Sequence, residues 1–124
     1  VAPRGDPRQA LGRRGEAAAE ALLDRAGMRI LARRFRCRSG EIDLVAADGE
    51  SVVFVEVKAR AGEGYGSPAA SVTPAKQRRI ARVALVFLQR RGWLSRRCRF
   101  DVVEVRTGGR EPRVRHIRDA FRSG

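Results

Sequence analysis

Residues 41–58 read Glu-Ile-Asp-Leu-Val-Ala-Ala-Asp-Gly-Glu-Ser-Val-Val-Phe-Val-Glu-Val-Lys, and this stretch decides the fold. Glu41 to Ala47 alternates in part, with Ile42 and Leu44 on one side and Glu41, Asp43 and Val45 on the other. Asp48-Gly49 is a two-residue hairpin signal. The run after it, Val52, Val53, Phe54, Val55 and Val57, is almost continuously apolar and β-branched, the pattern of a strand covered on both faces. The stretch therefore predicts a β-hairpin from Glu41 to Lys58. With Asp48 and Gly49 as the central turn residues, Asp43 pairs with Phe54 and Glu41 with Glu56. Glu41, Asp43, Glu56 and Lys58 then share one face, and Asp43 and Glu56 are diagonal neighbours with Cβ atoms about 7–8 Å apart or less.

Working outward, Val1 to Leu11 carries two prolines and little periodicity and reads as a flexible arm, leaving residues 12–121 as a single domain. Arg13 to Ala26 predicts a helix with Ala17, Ala18, Ala21 and Leu22 as its apolar stripe and Gly27 as its stop. Met28 to Ala32 is a short strand. Ala59 to Val72 reads as a loop, in which Gly64 to Pro68 could cover the acidic face. Thr73-Pro74 opens a second helix, with Thr73 as N-cap and Pro74 at the first helical position. Ile80, Val83, Ala84, Phe87 and Leu88 fall on one helical face, and Gly92 closes the helix. Phe100 to Val105 is a further strand, and Val114 to Phe121 a final strand or helical turn. The order describes an α/β domain with a mixed sheet covered by helices.

Lys and Arg number 27 against 14 Asp and Glu, a net charge of +13. Arginine over lysine reflects composition bias in part, but the excess of bases over acids favours a polyanionic partner, nucleic acid first. No apolar run is long enough to cross a membrane, and Val1 to Gly15 lacks the apolar core of a secretory signal. Cys37 and Cys98 form no CxxC pair and read as free thiols of a reducing, cytoplasmic compartment. His116 is the single histidine, which excludes histidine-rich zinc sites.

Against that background the carboxylates of the hairpin stand out. Like charges opposed on a sheet destabilise it, and ionised carboxylates resist burial unless paired or metal-bound. A divalent cation resolves the conflict, and oxygen-only ligation favours Mg²⁺ or Mn²⁺ over zinc. Asp43 and Glu56 are candidate metal ligands and Lys58 a candidate catalytic lysine, the residue types that metal-assisted phosphodiester hydrolysis uses. The bland alternative is that Glu41 and Glu56 pair with Lys58 and nearby arginines on an exposed face.

Gly15-Glu16, Gly40-Glu41-Ile42-Asp43-Leu44, Phe54-Val55-Glu56-Val57-Lys58, Tyr65-Gly66-Ser67-Pro68, Lys76-Gln77 and Arg99-Phe100-Asp101, in this order, resemble the bacterial YraN-type proteins. The likeness runs from about Gly12 to Val105. That family is similar in pattern to the PD-(D/E)xK nuclease superfamily and to archaeal Holliday-junction resolvases. The resemblance implies a restriction-endonuclease-like three-layer fold with a central mixed sheet flanked by helices. It also implies Asp43 and Glu56 as metal ligands with the Val57 carbonyl as a third, and Lys58 as the catalytic lysine. Glu16 would be an extra acid acting on the metal through water, and Gln77 a polar residue on the helix after the core strands. Ile42 stands where the pattern often has proline. Resolvases act as dimers, so a homodimer is an expectation of the resemblance.

Other residues divide between roles. Lys76, Arg78, Arg79 and Arg82, with Gln77, make a basic patch early in the second helix, either a phosphate grip or a solvated face. Lys76 and Gln77 lie a turn or less before Ile80 and so lean towards the core edge. Arg36 and Arg38, with Arg33 and Arg34, are placed to flank the site and grip a backbone, whereas Arg90, Arg91, Arg96 and Arg97 read as surface. Asp101 reads as structural, paired with an arginine, and Trp93 as packing for the helix end. The sequence thus supports a Mg²⁺- or Mn²⁺-dependent endonuclease acting on DNA, on branched or repair intermediates. The alternatives are a non-catalytic nucleic-acid-binding module on the same fold and a protein-binding adaptor.

Overall fold

A computed structural model of the chain describes residues 7–61 and 72–122. Two helices, α1 (Pro7–Arg25) and α2 (Pro74–Arg91), accompany five strands in those residues: β1 (Arg29–Cys37), β2 (Gly40–Asp48), β3 (Ser51–Ala61), β4 (Cys98–Thr107) and β5 (Arg113–Phe121). The strands form one sheet in the order β1-β2-β3-β4-β5. Only β3 and β4 run parallel, joined by the crossover that contains α2, and the other neighbours are antiparallel.

The sheet is the middle layer. Val53 and Val55 of β3 pack with Val103, Val105, Ala19 and Leu23, beneath α1. Val52 and Phe54 point to the other face and pack with Phe100, Val102, Ile80, Val83 and Phe87, beneath α2. Successive strand residues alternate between faces, so Val52 to Val55 must be apolar throughout, and all four are essentially inaccessible. Edge-on ring contacts of Phe87 with Phe35 and Phe54, centroids 5.2 and 5.8 Å apart, fix α2 on the sheet. The five residues expected to form the buried stripe of α2 are the five that are buried. Thr73 caps its start, with the Oγ1 accepting from Lys76 N at 3.2 Å, and Gly92 ends it in the left-handed conformation.

Several expectations are corrected. Helix α1 begins at Pro7, six residues before Arg13, with proline at the first helical position, where its missing N–H is no loss. Residues 7–11 are therefore not an irregular arm, and Val1 to Asp6 lie outside the described residues. The buried face of α1 is Gly15, Ala19 and Leu23; of the expected stripe, Ala18 and Leu22 are half-buried and pack beside it, while Ala17 and Ala21 are exposed. Glycine supplies the contact: a Cβ at Gly15 would stand 2.6 Å from the Ala59 Cβ, so α1 approaches β3 as closely as it does because Gly15 has no side chain. Strand β1 is nine residues rather than five, β5 is a strand, and β3 continues to Ala61. The loop proposed around Gly64 to Pro68, with Tyr65, lies outside the described residues.

The hairpin register also differs. Asp48 pairs with Ser51, so Gly49 and Glu50 are the central turn residues, with Gly49 at φ 60°. A first-position glycine is the type II′ choice. The pairing is displaced by two residues, which leaves Leu44 to Asp48 on their expected faces, and the same register carried past the last pair, Leu44↔Val55, would set Asp43 level with Glu56 instead of diagonal to it. Ile42 and Leu44, however, do not share a face. Ile42 packs under α2 and Leu44 under α1. The alternation breaks where Arg34, on the neighbouring β1 between the partners of Leu44 and Ile42, adopts φ 49°, a conformation that costs a side-chain-bearing residue about 1–2 kcal/mol.

Candidate functional site

The break in alternation positions the site. The β2–β3 ladder runs from Asp48↔Ser51 to Leu44↔Val55, where the recorded pairing ends. Beyond it the Val57 N–H donates to Asp43 Oδ2 at 2.8 Å, a bond to a side chain where a carbonyl of β2 would otherwise stand. A backbone N–H of a strand points along the sheet, so the Asp43 carboxylate lies near the sheet plane, in the split between β2 and β3. Glu56, one residue before Val57, is 9% exposed. Lys58 Nζ is 3.5 Å from Glu56 Oε1. Lys76, from the first turn of α2, is closer still, with its Nζ 2.6 Å from the same oxygen. Gln77 does not join them; its amide donates to the Val72 carbonyl at 2.9 Å and secures the entry to the helix.

Glu16 comes from the opposite layer. Its Oε2 accepts from Arg34 Nε at 2.9 Å, and its charge acts on Asp43. Burial, followed by repulsion from Glu56 and Glu16, pushes the Asp43 carboxyl up to about 7 against the lowering effect of the Val57 N–H. Burial, reinforced by Lys76 alongside, holds Lys58 below the ordinary lysine value despite Glu56. Burial also works against the Lys76 ammonium, but its bond to Glu56 outweighs that and holds it above the ordinary value.

Asp43, Glu56 and Lys58 are thus brought together as the spacing implied, and Lys76 is added to them; Glu16, expected from the resemblance, acts on Asp43 only through its charge and is held by Arg34. Glu41 is not. It is exposed and accepts from Arg36 Nε at 3.1 Å, in a cavity of about 320 Å³ lined by Gly12, Arg13, Glu16, Arg34, Arg36 and Glu41. The change of face between Ile42 and Leu44 moves Glu41 to the α1 side, away from Glu56. Arg36 shares that cavity with Glu16, while Arg38, Arg78 and Arg79 are exposed. Arg79 lies against Gly40, where a Cβ would stand 3.0 Å from its Cδ. Arg33 pairs with Glu20 of α1.

Lys76 reads from the sequence as part of a basic patch leaning towards the core edge, and its ion pair with Glu56 is not legible there. It precedes Ile80 by four, on the same face as Ile80, Val83 and Phe87, and helical periodicity therefore aims it at the sheet. Glu104 was not singled out at all. It pairs in register with Lys58, is 2% exposed, accepts from Arg115 at 3.4 Å and forms an ion pair with Arg106 at 3.7 Å. Asp101 is structural as expected: fully buried, it accepts from Arg99 Nε at 3.0 Å and Asp119 N at 3.0 Å and bonds His116 Nε2 at 2.7 Å. Trp93 packs at the end of α2, with the Arg96 guanidinium 4.2 Å above its ring. Both cysteines are free.

A family model described as Uncharacterised protein family UPF0102 matches residues 15–105. The chain belongs to the UPF0102 family. It is 55% identical over 113 residues to a UPF0102 protein of Symbiobacterium thermophilum, covering 90% of this chain and 95% of that one. It is 52% identical over 113 residues to a UPF0102 protein of Rhodococcus jostii (90% and 96%) and 51% over 112 residues to one of Geobacter sulfurreducens (90% and 88%). The UPF0102 match begins at Gly15 and ends at Val105, so it spans Glu16, Asp43, Glu56, Lys58 and Lys76 and stops before β5. No helix among the described residues is long and apolar enough to cross a membrane.

The donor set decides what this UPF0102 site could hold. Among the described residues, no three carboxylate, imidazole or thiol side chains gather closely enough to form a metal cage. Asp43 and Glu56 are two hard oxygen donors in repulsive contact, with Glu16 drawn off by Arg34. That set does not suit zinc. It fits Mg²⁺ or Mn²⁺, which keep several waters and bind through one or two carboxylates together with substrate phosphates.

Proposed function

We propose that the chain is a metal-dependent nuclease that hydrolyses phosphodiesters in DNA, a branch of the PD-(D/E)xK superfamily related in design to the junction resolvases. The observation that carries this reading is the meeting of Asp43, Glu56 and Lys58 at the split between β2 and β3, with both carboxylates crowded and the lysine beside them. The mixed sheet between two helices supports it.

Asp43 and Glu56 would hold a Mg²⁺ or Mn²⁺ ion, with the Val57 carbonyl as a third donor and Glu16 acting through water. Such an ion supplies charge stabilisation at a phosphoryl oxygen and lowers the pKa of water. The reaction adds water across one P–O ester bond, leaving a phosphate monoester and a hydroxyl. Lys58, a half-buried ammonium held below its ordinary pKa, orients the attacking water and balances charge that grows on the phosphate. The Val57 N–H keeps the Asp43 carboxylate in place while this happens. Arg36, which shares a cavity with Glu16, and Arg38, Arg78 and Arg79 are exposed and suited to hold backbone phosphates.

The test is a cleavage screen over single-stranded, duplex, flap and four-way DNA with Mg²⁺ or Mn²⁺. Metal-dependent cleavage that disappears in both Asp43→Ala and Lys58→Ala is the expected result. Salt-sensitive DNA binding by the wild type with no cleavage of any substrate would instead establish a non-catalytic nucleic-acid-binding module.

A further inference from the structure

Two lysines share one carboxylate oxygen, and the one outside the Glu-x-Lys pattern is the closer. Lys58 follows Glu56 along β3 and reaches its Oε1 at 3.5 Å, whereas Lys76 arrives from the other layer at 2.6 Å. Lys76 has reasons not to be there. A cation in the first turn of a helix opposes the helix dipole, and its stem is directed into a region already holding the Lys58 ammonium. The helix start is fixed by the Thr73 cap and Pro74, so the backbone at Lys76 cannot drift to relieve either conflict. What compensates is Glu56: a compact ammonium 2.6 Å from a buried carboxylate does electrostatically what a small cation would do. With Asp43 and Glu56 opposed by Lys58 and Lys76, the four side chains carry no net charge when all are ionised, and a divalent ion added to them would leave an excess of two.

We infer that Lys76 stands on Glu56 in the position of the cation, and that a divalent ion binds this chain by displacing it. Lys76 then sets the metal concentration at which the site fills. The side chain is equipped to leave, being 32% exposed where the Glu56 side chain is 10% exposed. It would enter solvent beside Arg78 and Arg79, among the groups facing a polyanion. This inference rests on the reading of Asp43 and Glu56 as metal ligands.

The experiment measures Mn²⁺ binding to the full chain by calorimetry and by loss of the free-ion paramagnetic signal, without nucleic acid. Lys76→Met should bind Mn²⁺ about tenfold tighter than wild type or better, since a competing charge pair has been removed. Arg82→Met removes the same unit of charge from the same helix without an ion pair to Glu56, and should change affinity by no more than about twofold. Asp43→Asn should abolish binding in either background. Circular dichroism reports whether each variant is folded, and Lys76→Gln serves if the methionine variant is not. Equal Mn²⁺ affinity in wild type and Lys76→Met, or equal gains in Lys76→Met and Arg82→Met, overturns the displacement while leaving the metal site standing. Mn²⁺ binding that never depends on Asp43 removes the metal site itself and the displacement with it.

Discussion

Replacing Asp43 by Asn should stabilise the metal-free protein at pH 8. The side chain keeps an oxygen to accept the Val57 N–H, now at 2.8 Å, but loses the charge that Glu56 and Glu16 repel. The wild-type carboxyl is raised from 3.8 to about 7. At about 1.4 kcal/mol for each tenfold change in proton affinity, the ionised form is disfavoured in the folded chain by roughly 4 kcal/mol at most. Partial solvent access and relaxation around the two lysines reduce that bound, and a gain of about 1–3 kcal/mol is expected on substitution. The sign follows from proton counting. Between pH 4 and 7 the folded chain retains a proton that the unfolded chain has released, so wild-type stability falls as pH rises through that window. The deficit is complete above pH 7 and absent below pH 4, where both states are protonated. Thermal melts with a chelator present should therefore show Asp43→Asn melting above wild type at pH 8, by roughly 5–10 °C, and the difference should shrink towards pH 4. A variant that melts lower than wild type at pH 8, or a gain of equal size at both pH values, would refute the argument that crowded carboxylates strain this site.

Two further outcomes test the scaffold. Gly15→Val should cost about 1–3 kcal/mol in a urea unfolding series, because its Cβ alone would stand 2.6 Å from Ala59 Cβ and must force α1 from β3. Asp101→Asn should cost about 3 kcal/mol at pH 7, since the fully buried carboxylate serves Arg99, His116 and the Asp119 N–H together. Burial opposes the Asp101 charge, but His116, Arg99 and the Asp119 N–H hold its pKa low. Its contribution is thus present above the unfolded value near 4 and lost as pH falls through the lower folded value, so acid titration should flatten the difference from wild type.

The elements the sequence made legible are those in which one physical pattern dominates. The continuous β-branched run of β3 admits no other element, and α2 carries its cap, its stripe and its stop in plain order. Strand β1 was underread because Arg33, Arg34 and Arg36 interrupt its apolar positions; as an edge strand it needs few. The stripe of α1 was legible in half, since Ala18 and Leu22 pack on the core, but its centre lies on Gly15, Ala19 and Leu23, and Gly15 carries no apolar side chain to mark it. Asp43, Glu56 and Lys58 survived a wrong register because an error of two residues conserves the face. Glu41 did not survive, because no alternation rule anticipates the turnover between Ile42 and Leu44 beside Arg34. Lys76 was half legible: its spacing to Ile80 aimed it at the sheet, but only the meeting of α2 with β3 supplies Glu56 as its destination.

The five-stranded sheet is open, so it has two borders, and both are studded with guanidinium groups. Arg29, Arg33, Arg34 and Arg36 lie along β1, and Arg113, Arg115 and Arg118 along β5. Charged side chains on a border strand discourage a foreign strand from zipping onto it. Arg33, Arg34 and Arg36 are each held by a carboxylate, so an incoming strand would have to displace ionic side chains as well as find a register. The borders are thus guarded by ion pairs as much as by the positive excess of 13.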